Sequence, residues 1–449
     1  MSKPTIFFLH ALGGSSLEWN EVVSALGSKV ESVPLDLPGF GVEPLAGCDD
    51  VDRLADWVCN QIRGQGCKSF FLVGHSMGGK VASVVAARSR DGERGLAGLL
   101  GLALVAASPP SPEPMDEQRR QEMLSWLSPG GICREHAEDF LGSNVAGPLA
   151  PALRERALKD ITRSDPAAWR AWLTHGSNED WADVVGTLPF AVRVLAGEDD
   201  GDLGQDAQRS LNAPHHAEAK AVIVLSRAAH LLPYERAEAV ACIIEDLLDE
   251  GLRHSLPDAF VELLNSERVG ERMRSTLVKR NFPPAQSQAG TFSSRQLGTL
   301  TALCSQVLPG IKDPFDLSRR IDLDLADGGG DGWRFADLPS DRPAWHAALN
   351  VLEELGGGFS ALTATERNGL LELLERGDFA FGDQATLSAD QFKRWFEDAR
   401  ALITRTWTSL PSTWAAMAYD GFAVSAQQKD TQGYELTGEN EMEAWQVQA

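Results

Sequence analysis

At 449 residues the chain is longer than one hydrophobic core usually serves, which predicts two or three domains. The composition is that of an ordinary soluble globular protein, 43% hydrophobic and 23% charged. Acidic residues outnumber basic ones by 64 to 41, a net charge of −23 that disfavours nucleic acid or an anionic membrane as the main partner, because phosphates need a basic patch. The six cysteines (Cys48, Cys59, Cys67, Cys133, Cys242, Cys304) contain no C-x-x-C pair and read as reduced, mostly structural thiols.

The chain opens M-S-K-P-T-I-F-F-L-H, with one lysine and an apolar run of four residues. It has neither a twin arginine nor a small-residue cleavage site, so no export signal is expected. The longest apolar stretch, Gly95 to Ala107, has 13 residues, whereas a bilayer helix needs about 20. It reads as the end of a helix plus a buried strand. The expectation is a cytoplasmic protein with no membrane insertion.

Residues 1 to about 250 alternate short apolar runs with amphipathic segments. Candidate strands are Ile6–Leu9, Val30–Pro34, Ser69–Val73, Gly101–Ala106, Ala191–Ala196 and Ala219–Leu225. Helical stretches such as Gly78–Ser89 and Tyr234–Leu252 lie between or after them, which predicts a doubly wound, mostly parallel α/β sheet. The first strand breaks into His10-Ala11-Leu12-Gly13-Gly14 and the third into Gly74-His75-Ser76-Met77-Gly78. The latter is G-x-S-x-G between a strand and a helix, the context of a nucleophile elbow: a tight turn that exposes the serine hydroxyl while glycines relieve crowding. The Met77 N–H, at the helix start, points at the same space, and the loop after the first strand can bring the Leu12 N–H beside it. Two such donors stabilise the oxyanion of a tetrahedral intermediate. His10 reads as a brace for that loop.

The alternation stops at S-P-P-S-P-E-P, residues 108–114, and resumes near Leu188. The intervening helical pattern, about 108–186, predicts an inserted lid. It carries Trp126, Trp169, Trp172 and Trp181, which fill its core or, for the first three, line an apolar substrate pocket. Strand Ala191–Ala196 ends in Gly197-Glu198-Asp199-Asp200, and the last strand in Ser226-Arg227-Ala228-Ala229-His230. A serine needs a base and the base an orienting acid. The chain order gives Ser76, Asp200 (Asp199 as alternative) and His230. The adjacent His215-His216 reads as a surface loop.

A further helical segment, 251 to about 280, leads to the polar linker A-Q-S-Q-A-G-T-F-S-S, residues 285–294, so 251–292 is expected to connect two domains. Beyond it the pattern is helical throughout: Gln296–Leu308, Pro343–Leu355, Thr365–Gly377 and Asp390–Leu410, with a polar tail at 426–449. Asp322, Asp324, Asp327 and Asp331 suggest a calcium loop. Counted from Asp322, however, the fifth position is Ala326, the sixth Asp327 and the twelfth Trp333, so the ligand, the turn glycine and the bidentate glutamate are all missing. These aspartates read as solvating a helix end and loop, Trp333 and Arg334 as packing or interface residues, and no metal is expected.

Taken together, H-x-x-G-G, D-L-P-G-F-G (Asp36 to Gly41), G-H-S-M-G-G, G-E-D-D and the late histidine occur in the order of the α/β-hydrolase family, which residues 1 to about 250 resemble. Two departures stand out: Ala11 stands where that family usually has a glycine after the first histidine, and Ala229 where it usually has one before the catalytic histidine. The resemblance implies a serine hydrolase acting through Ser76, His230 and Asp200 with no cofactor, on an ester or lactone, or on a carbon–carbon bond with the same triad. Residues 293–425 resemble the small, third subunit of gluconate 2-dehydrogenase through L-G-T-L-T-A-L-C-S-Q-V-L-P-G, I-D-L-D-L-A, G-D-G-W-R-F-A-D-L-P and R-W-F-E-D-A-R. That resemblance implies docking to a flavin-dependent dehydrogenase of the glucose–methanol–choline type, with no flavin or haem site in this chain. The alternative it leaves is a non-catalytic assembly or chaperone subunit of a flavin dehydrogenase complex, whose hydrolase fold is a relic.

Overall fold

Six apolar runs, each ending in glycine or a polar turn, align as one parallel sheet in a computed structural model that describes residues 3–217, 221–285, 288–328, 334–376 and 386–422. The strands are β1 (Thr5–Leu9), β2 (Glu31–Leu35), β3 (Phe70–His75), β4 (Leu99–Val105), β5 (Ala191–Gly197) and β6 (Val222–Leu225), in the order β2-β1-β3-β4-β5-β6. Every residue of β1, β3 and β4 is buried, as expected of parallel strands covered on both faces. The chain steps from β1 outward to β2, then crosses back to lay β3 on the other side of β1 and continues outward to β6. The order therefore reverses between β1 and β3, where an open α/β sheet leaves a crevice at its carboxyl edge. Pairing of Leu9 with Gly74 sets the turn after β1 level with the turn after β3.

Helices α1 (Asn20–Leu26), α2 (Val51–Gln65) and α3 (Met77–Arg90) cover the sheet. On α2, Val51, Leu54, Ala55, Val58, Cys59 and Ile62 form one buried stripe at helical spacing. Its Asp50 cap accepts the Arg53 N–H, and Gly66 ends it in the left-handed region. α3 stops at Arg90, and Gly92 and Gly95 both take positive φ (+89° and +92°). The stretch from Gly95 is therefore a turn leading into β4, not the end of a helix. Between β4 and β5 the chain inserts α4 (Glu117–Ser125), α5 (Arg134–Ser143), α6 (Pro151–Arg163) and α7 (Pro166–Thr174).

The chain forms two compact units: it leaves the first at Phe282/Pro283 and rejoins it at Tyr419/Asp420. The segment following the sheet, as far as Phe282, is thus part of the first unit and not a free connector. The reason is local: the buried Arg274 guanidinium donates to the carbonyls of Gly92, Leu264 and Val269, each at 2.6 Å. The Phe282 ring packs edge-on against Phe190 at 5.1 Å.

The second unit, Pro283–Tyr419, is helical: Ser294–Val307, Pro314–Ala326, Asp341–Glu354, Ala364–Arg376, Ala389–Thr408 and Pro411–Ala416. Leu300, Leu303, Ile321, Trp345, Leu349, Phe392 and Trp395 form its separate core. Capping boxes start two of these helices, Ser293 with Gln296 and Ser388 with Gln391. One sequence expectation is corrected here. Asp322 does not solvate a helix end: it is buried, accepts the N–H groups of Thr291 (2.7 Å) and Phe292 (2.8 Å), and pairs with Arg319 at 2.6 Å. Arg334 is exposed. Trp333, Asp331 and the tail 426–449 lie outside the described residues. Among the described residues no helix is long and apolar enough to cross a membrane, and no group of three His, Cys, Asp or Glu is placed to hold a metal.

Candidate active site

Ser76 stands between β3 and α3 at φ +49°, ψ −119°, a conformation that favours glycine, so the turn is strained. Its neighbours enforce it. A Cβ on Gly74 would lie 2.5 Å from the Gly78 carbonyl oxygen, and one on Gly78 would lie 2.4 Å from that of Leu9. The two glycines let α3 start hard against β1 and β3, and Ser76 between them is buried, 6% exposed. The Ser76 carbonyl accepts the N–H groups of Gly79 (2.8 Å) and Ser108 (3.0 Å).

His230 follows β6. Its Nδ1–H donates to Asp200 Oδ2 at 2.9 Å, leaving Nε2 free among the described residues. Burial alone would raise the Asp200 carboxyl and lower the His230 imidazole. The mutual charge and hydrogen bond outweigh burial at both ends, holding Asp200 below and His230 above its ordinary value. The Leu203 N–H adds to the first shift, Glu113 and Glu18 to the second. Asp199 is exposed and offers its backbone N–H to Ala228, so the geometry separates the two acids. Gly197 makes the approach possible: a Cβ there would lie 2.0 Å from the Ala229 carbonyl oxygen. Ser76 Oγ makes no hydrogen bond to His230 or to another described residue; such bonds often form only once substrate is bound.

The turn after β1 lies beside this elbow. Neither the Leu12 nor the Met77 N–H donates to a carbonyl or side chain among the described residues. His10 is buried, accepts the Leu37 N–H at Nε2 (2.9 Å) and donates from Nδ1 to the Ala11 carbonyl (2.7 Å). Those two bonds fix a neutral tautomer, and burial lowers its pKa. Gly13 is at φ +74°, and Gly14 closes the turn with its N–H on the Ala11 carbonyl (3.0 Å). Ala11 and Ala229 are not at positive φ, so the two departures from glycine leave both loops unstrained at those positions. Asp36 holds the D-L-P-G-F-G loop by accepting the Ser16 (2.6 Å) and Val42 (2.8 Å) N–H groups, and its carboxylate fills the space a Gly41 side chain would need.

The insertion closes over these turns. Trp169 is fully buried, its ring edge 2.7 Å from where a Gly13 Cβ would stand. Trp172 lines a small cavity with Met77, Phe40 and Leu54. Trp126 has its ring partners away from the elbow: it stacks on His136 (5.3 Å) beneath Arg119 (4.9 Å). The His230 and Leu231 N–H groups both donate to the carbonyl of Asn144, each at 3.1 Å. Glu235 accepts the N–H of Ala146 (2.7 Å) with one oxygen and of Ala229 (2.9 Å) with the other.

Sequence reading missed Glu18, Lys80, Glu113, Asn144 and Glu235. Lys80, one helical turn after Ser76, is buried and donates to the carbonyls of Glu179 (2.9 Å), Gly176 (3.2 Å) and Ser177 (3.4 Å). Burial brings its pKa down to about 8. Glu113, in the proline-rich segment, accepts from Ser108 Oγ at 3.3 Å, and burial raises its carboxyl despite the nearby charges of Lys80 and His230. Only Glu235 carried a signal, by following His230 at the start of a helix. His215-His216 is corrected as well. His216 is buried, its pKa pushed to about 3 by burial, and His215 donates to the Gly186 carbonyl at 2.8 Å. His216 packs inside, bridged to Leu188 next to β5, while His215 is half-buried.

Curated relatives match over the first half of the chain. The 2-succinyl-6-hydroxy-2,4-cyclohexadiene-1-carboxylate synthases of Enterobacter sp. (strain 638) and Escherichia coli (strain SE11) are 27% and 31% identical, over 55% of this chain and 92% and 94% of their own lengths. The pimeloyl-[acyl-carrier protein] methyl ester esterase of Neisseria meningitidis serogroup C is 24% identical, over 54% of this chain and 93% of its own. Among solved structures, the enol-lactonase of Burkholderia xenovorans LB400 aligns with a TM-score of 0.48 at 20% identity, over 56% of this chain and 93% of that one. A family model described as the Alpha/beta hydrolase family matches residues 6–241, more than half of the chain, and the chain belongs to that family.

Proposed function

We propose that the first unit hydrolyses an ester or lactone through an acyl-enzyme. Ser76 Oγ attacks the carbonyl carbon while its proton passes to His230 Nε2. The Leu12 and Met77 N–H groups hold the oxyanion, and Asp200 steadies the imidazolium. The proton then passes to the leaving alkoxide. Water, deprotonated by His230, displaces the acyl group and restores Ser76. The observation that carries this reading is the strained Ser76 turn combined with the 2.9 Å His230–Asp200 bond on neighbouring strand ends. Similarity to a methyl ester esterase supports it. The test is a fluorophosphonate probe with peptide mapping, alongside an ester and lactone panel. Labelling at Ser76 that Ser76→Ala abolishes is the expected outcome.

A second reading follows from the similarity to synthases of a cyclohexadiene carboxylate. In it, Ser76 and His230 move a proton on a cyclic carboxylate without acyl transfer. Hydrolysis in H₂¹⁸O separates the two, since only acyl transfer to water puts the label in a product carboxylate.

The second unit enters through sequence resemblance. In this proposal it docks a flavin-dependent dehydrogenase, and the first unit opens the lactone that sugar oxidation yields. Co-expression with flavoproteins encoded nearby tests it; absence of any flavoprotein from the isolated complex removes the coupling and leaves the Ser76 assignment standing.

A further inference from the structure

A second carboxylate–imidazole couple lies directly behind the first and has no part in the acyl-transfer steps. His75 and Glu18 are both buried, and His75 Nδ1 is 2.7 Å from Glu18 Oε1. The other ring nitrogen of His75 donates to the backbone carbonyl of His230 at 2.8 Å, and the two imidazoles lie 5.1 Å apart at 39°. Because a carbonyl only accepts, His75 Nε2 must carry a hydrogen, and the contact with Glu18 keeps the ring in the plane that aims it.

Glu18 is presented by a short turn, Ser16–Trp19, capped by the Ser15 hydroxyl on the Leu17 N–H. Trp19 packs edge-on against His75 from the same turn, at 6.3 Å. The Gly14 turn closes over the other carboxylate oxygen, where a Cβ would stand 2.5 Å from Glu18 Oε2. One buried couple thus touches all three pieces of the site: the turn after β1, the residue before Ser76, and the loop bearing His230.

We propose that Glu18 and His75 are a positioning pair that fixes the His230 loop relative to the Ser76 elbow and the Ala11–Gly14 turn. The proposal rests on the acyl-transfer reading for its kinetic consequence and on geometry for its structural one. The backbone of His230 is held from two sides. The Asn144 carbonyl takes its N–H and His75 takes its carbonyl, while Asp200 takes the side chain. Without the His75 bond the loop keeps its acid and loses the contact that sets its distance from Ser76. The charged groups facing His230 are Asp200 and Asp202 from the turn after β5, Glu113 from the insertion and Glu18 from the Ser16–Trp19 turn. Glu18 is one of those that raise the basicity of His230.

The experiment uses the full chain and two variants. His75→Phe keeps the ring and deletes the donor. Glu18→Gln keeps a hydrogen bond to Nδ1 and deletes the charge. With p-nitrophenyl acetate, His75→Phe is expected to lower kcat by about tenfold to a hundredfold with KM little changed, and to slow fluorophosphonate labelling of Ser76 in parallel. Glu18→Gln is expected to retain most of kcat while the acid limb of kcat/KM moves to lower pH, matched by the His230 imidazole titration in NMR. If His75→Phe does not fold, the Glu18→Gln profile decides alone. Wild-type kcat and an unmoved acid limb in both variants, or a loss confined to KM, overturns the pair. If the wild type neither labels at Ser76 nor turns over esters, the acyl-transfer reading fails separately. The pair is then judged by the His230 titration, and an unchanged titration in both variants overturns it.

Discussion

Ser76 combines a nucleophile's place with a glycine's backbone, and the two can be separated by substitution. Ser76→Ala should lower turnover by about 10⁴-fold or more while leaving the far-ultraviolet spectrum unchanged, since it removes one oxygen from a turn held by its neighbours. Ser76→Gly should be equally inactive, yet more stable than Ser76→Ala by about 1 kcal/mol in denaturant titration, because glycine relieves the strain of a positive φ. Equal stability of the two would mean that the turn is not strained. At the acid, Asp200→Asn should cost far more turnover than Asp199→Asn, since only Asp200 reaches His230.

The same bond makes activity and stability respond oppositely to pH. The raised pKa of His230 contributes stability that is fully present below 6.5 and lost as pH climbs through the folded value. The lowered pKa of Asp200 contributes stability present above 3.8 and lost as pH falls through its folded value. Catalysis needs neutral His230, so kcat/KM should rise with pH through a value above 6.5, over the window in which the pair's contribution to stability declines. A rate flat across that window would exclude His230 as the base.

At the scale of elements, the strands were legible because parallel strands buried on both faces read as unbroken apolar runs. Thr5–Leu9, Phe70–His75 and Ala191–Gly197 fall within two residues of their expected ends. The elbow and the late histidine were legible because each is a short motif at a strand end. Asp322, Glu18 and the Asn144 carbonyl were not, because each works on residues that the fold brings near: Thr291 to Asp322, His75 to Glu18, His230 to Asn144. The insertion was legible as helical, but its attachment to the base was not, since backbone groups leave no trace in a sequence. That attachment is testable. Glu235→Ala frees the N–H groups of both Ala146 and Ala229. Residues 144–147 and 229–231 should then lose amide-exchange protection together, with a kcat loss of about tenfold. Loss of protection on one side alone would show that the two segments are not held as one.

Over the whole molecule, the described residues build two large cores with no shared members. The first gathers the sheet, its helices and the insertion around Phe7, Phe8, Phe71 and Trp169. The second gathers five or more helices around Trp345, Phe392 and Trp395. A chain so divided is not expected to unfold as one cooperative step, and a single unfolding free energy would not describe it. Trp395→Ala, at a side chain almost fully buried in the second core, should cost about 3–5 kcal/mol there and lower only the transition of that unit. Phe71→Ala should act in the same way on the first unit and take Ser76 labelling with it, because β3 carries the elbow. The two transitions are distinguishable by probe. Ser76 labelling across a denaturant series reports the first unit alone, whereas tryptophan fluorescence reports both, since the first core contains Trp19 and Trp169 and the second Trp345 and Trp395. Independent units require that Trp395→Ala shift the fluorescence curve while the labelling midpoint stays at its wild-type value. One transition moved equally by both substitutions would instead make the chain a single cooperative body, and the second unit would then bear on the stability of the Ser76 site itself.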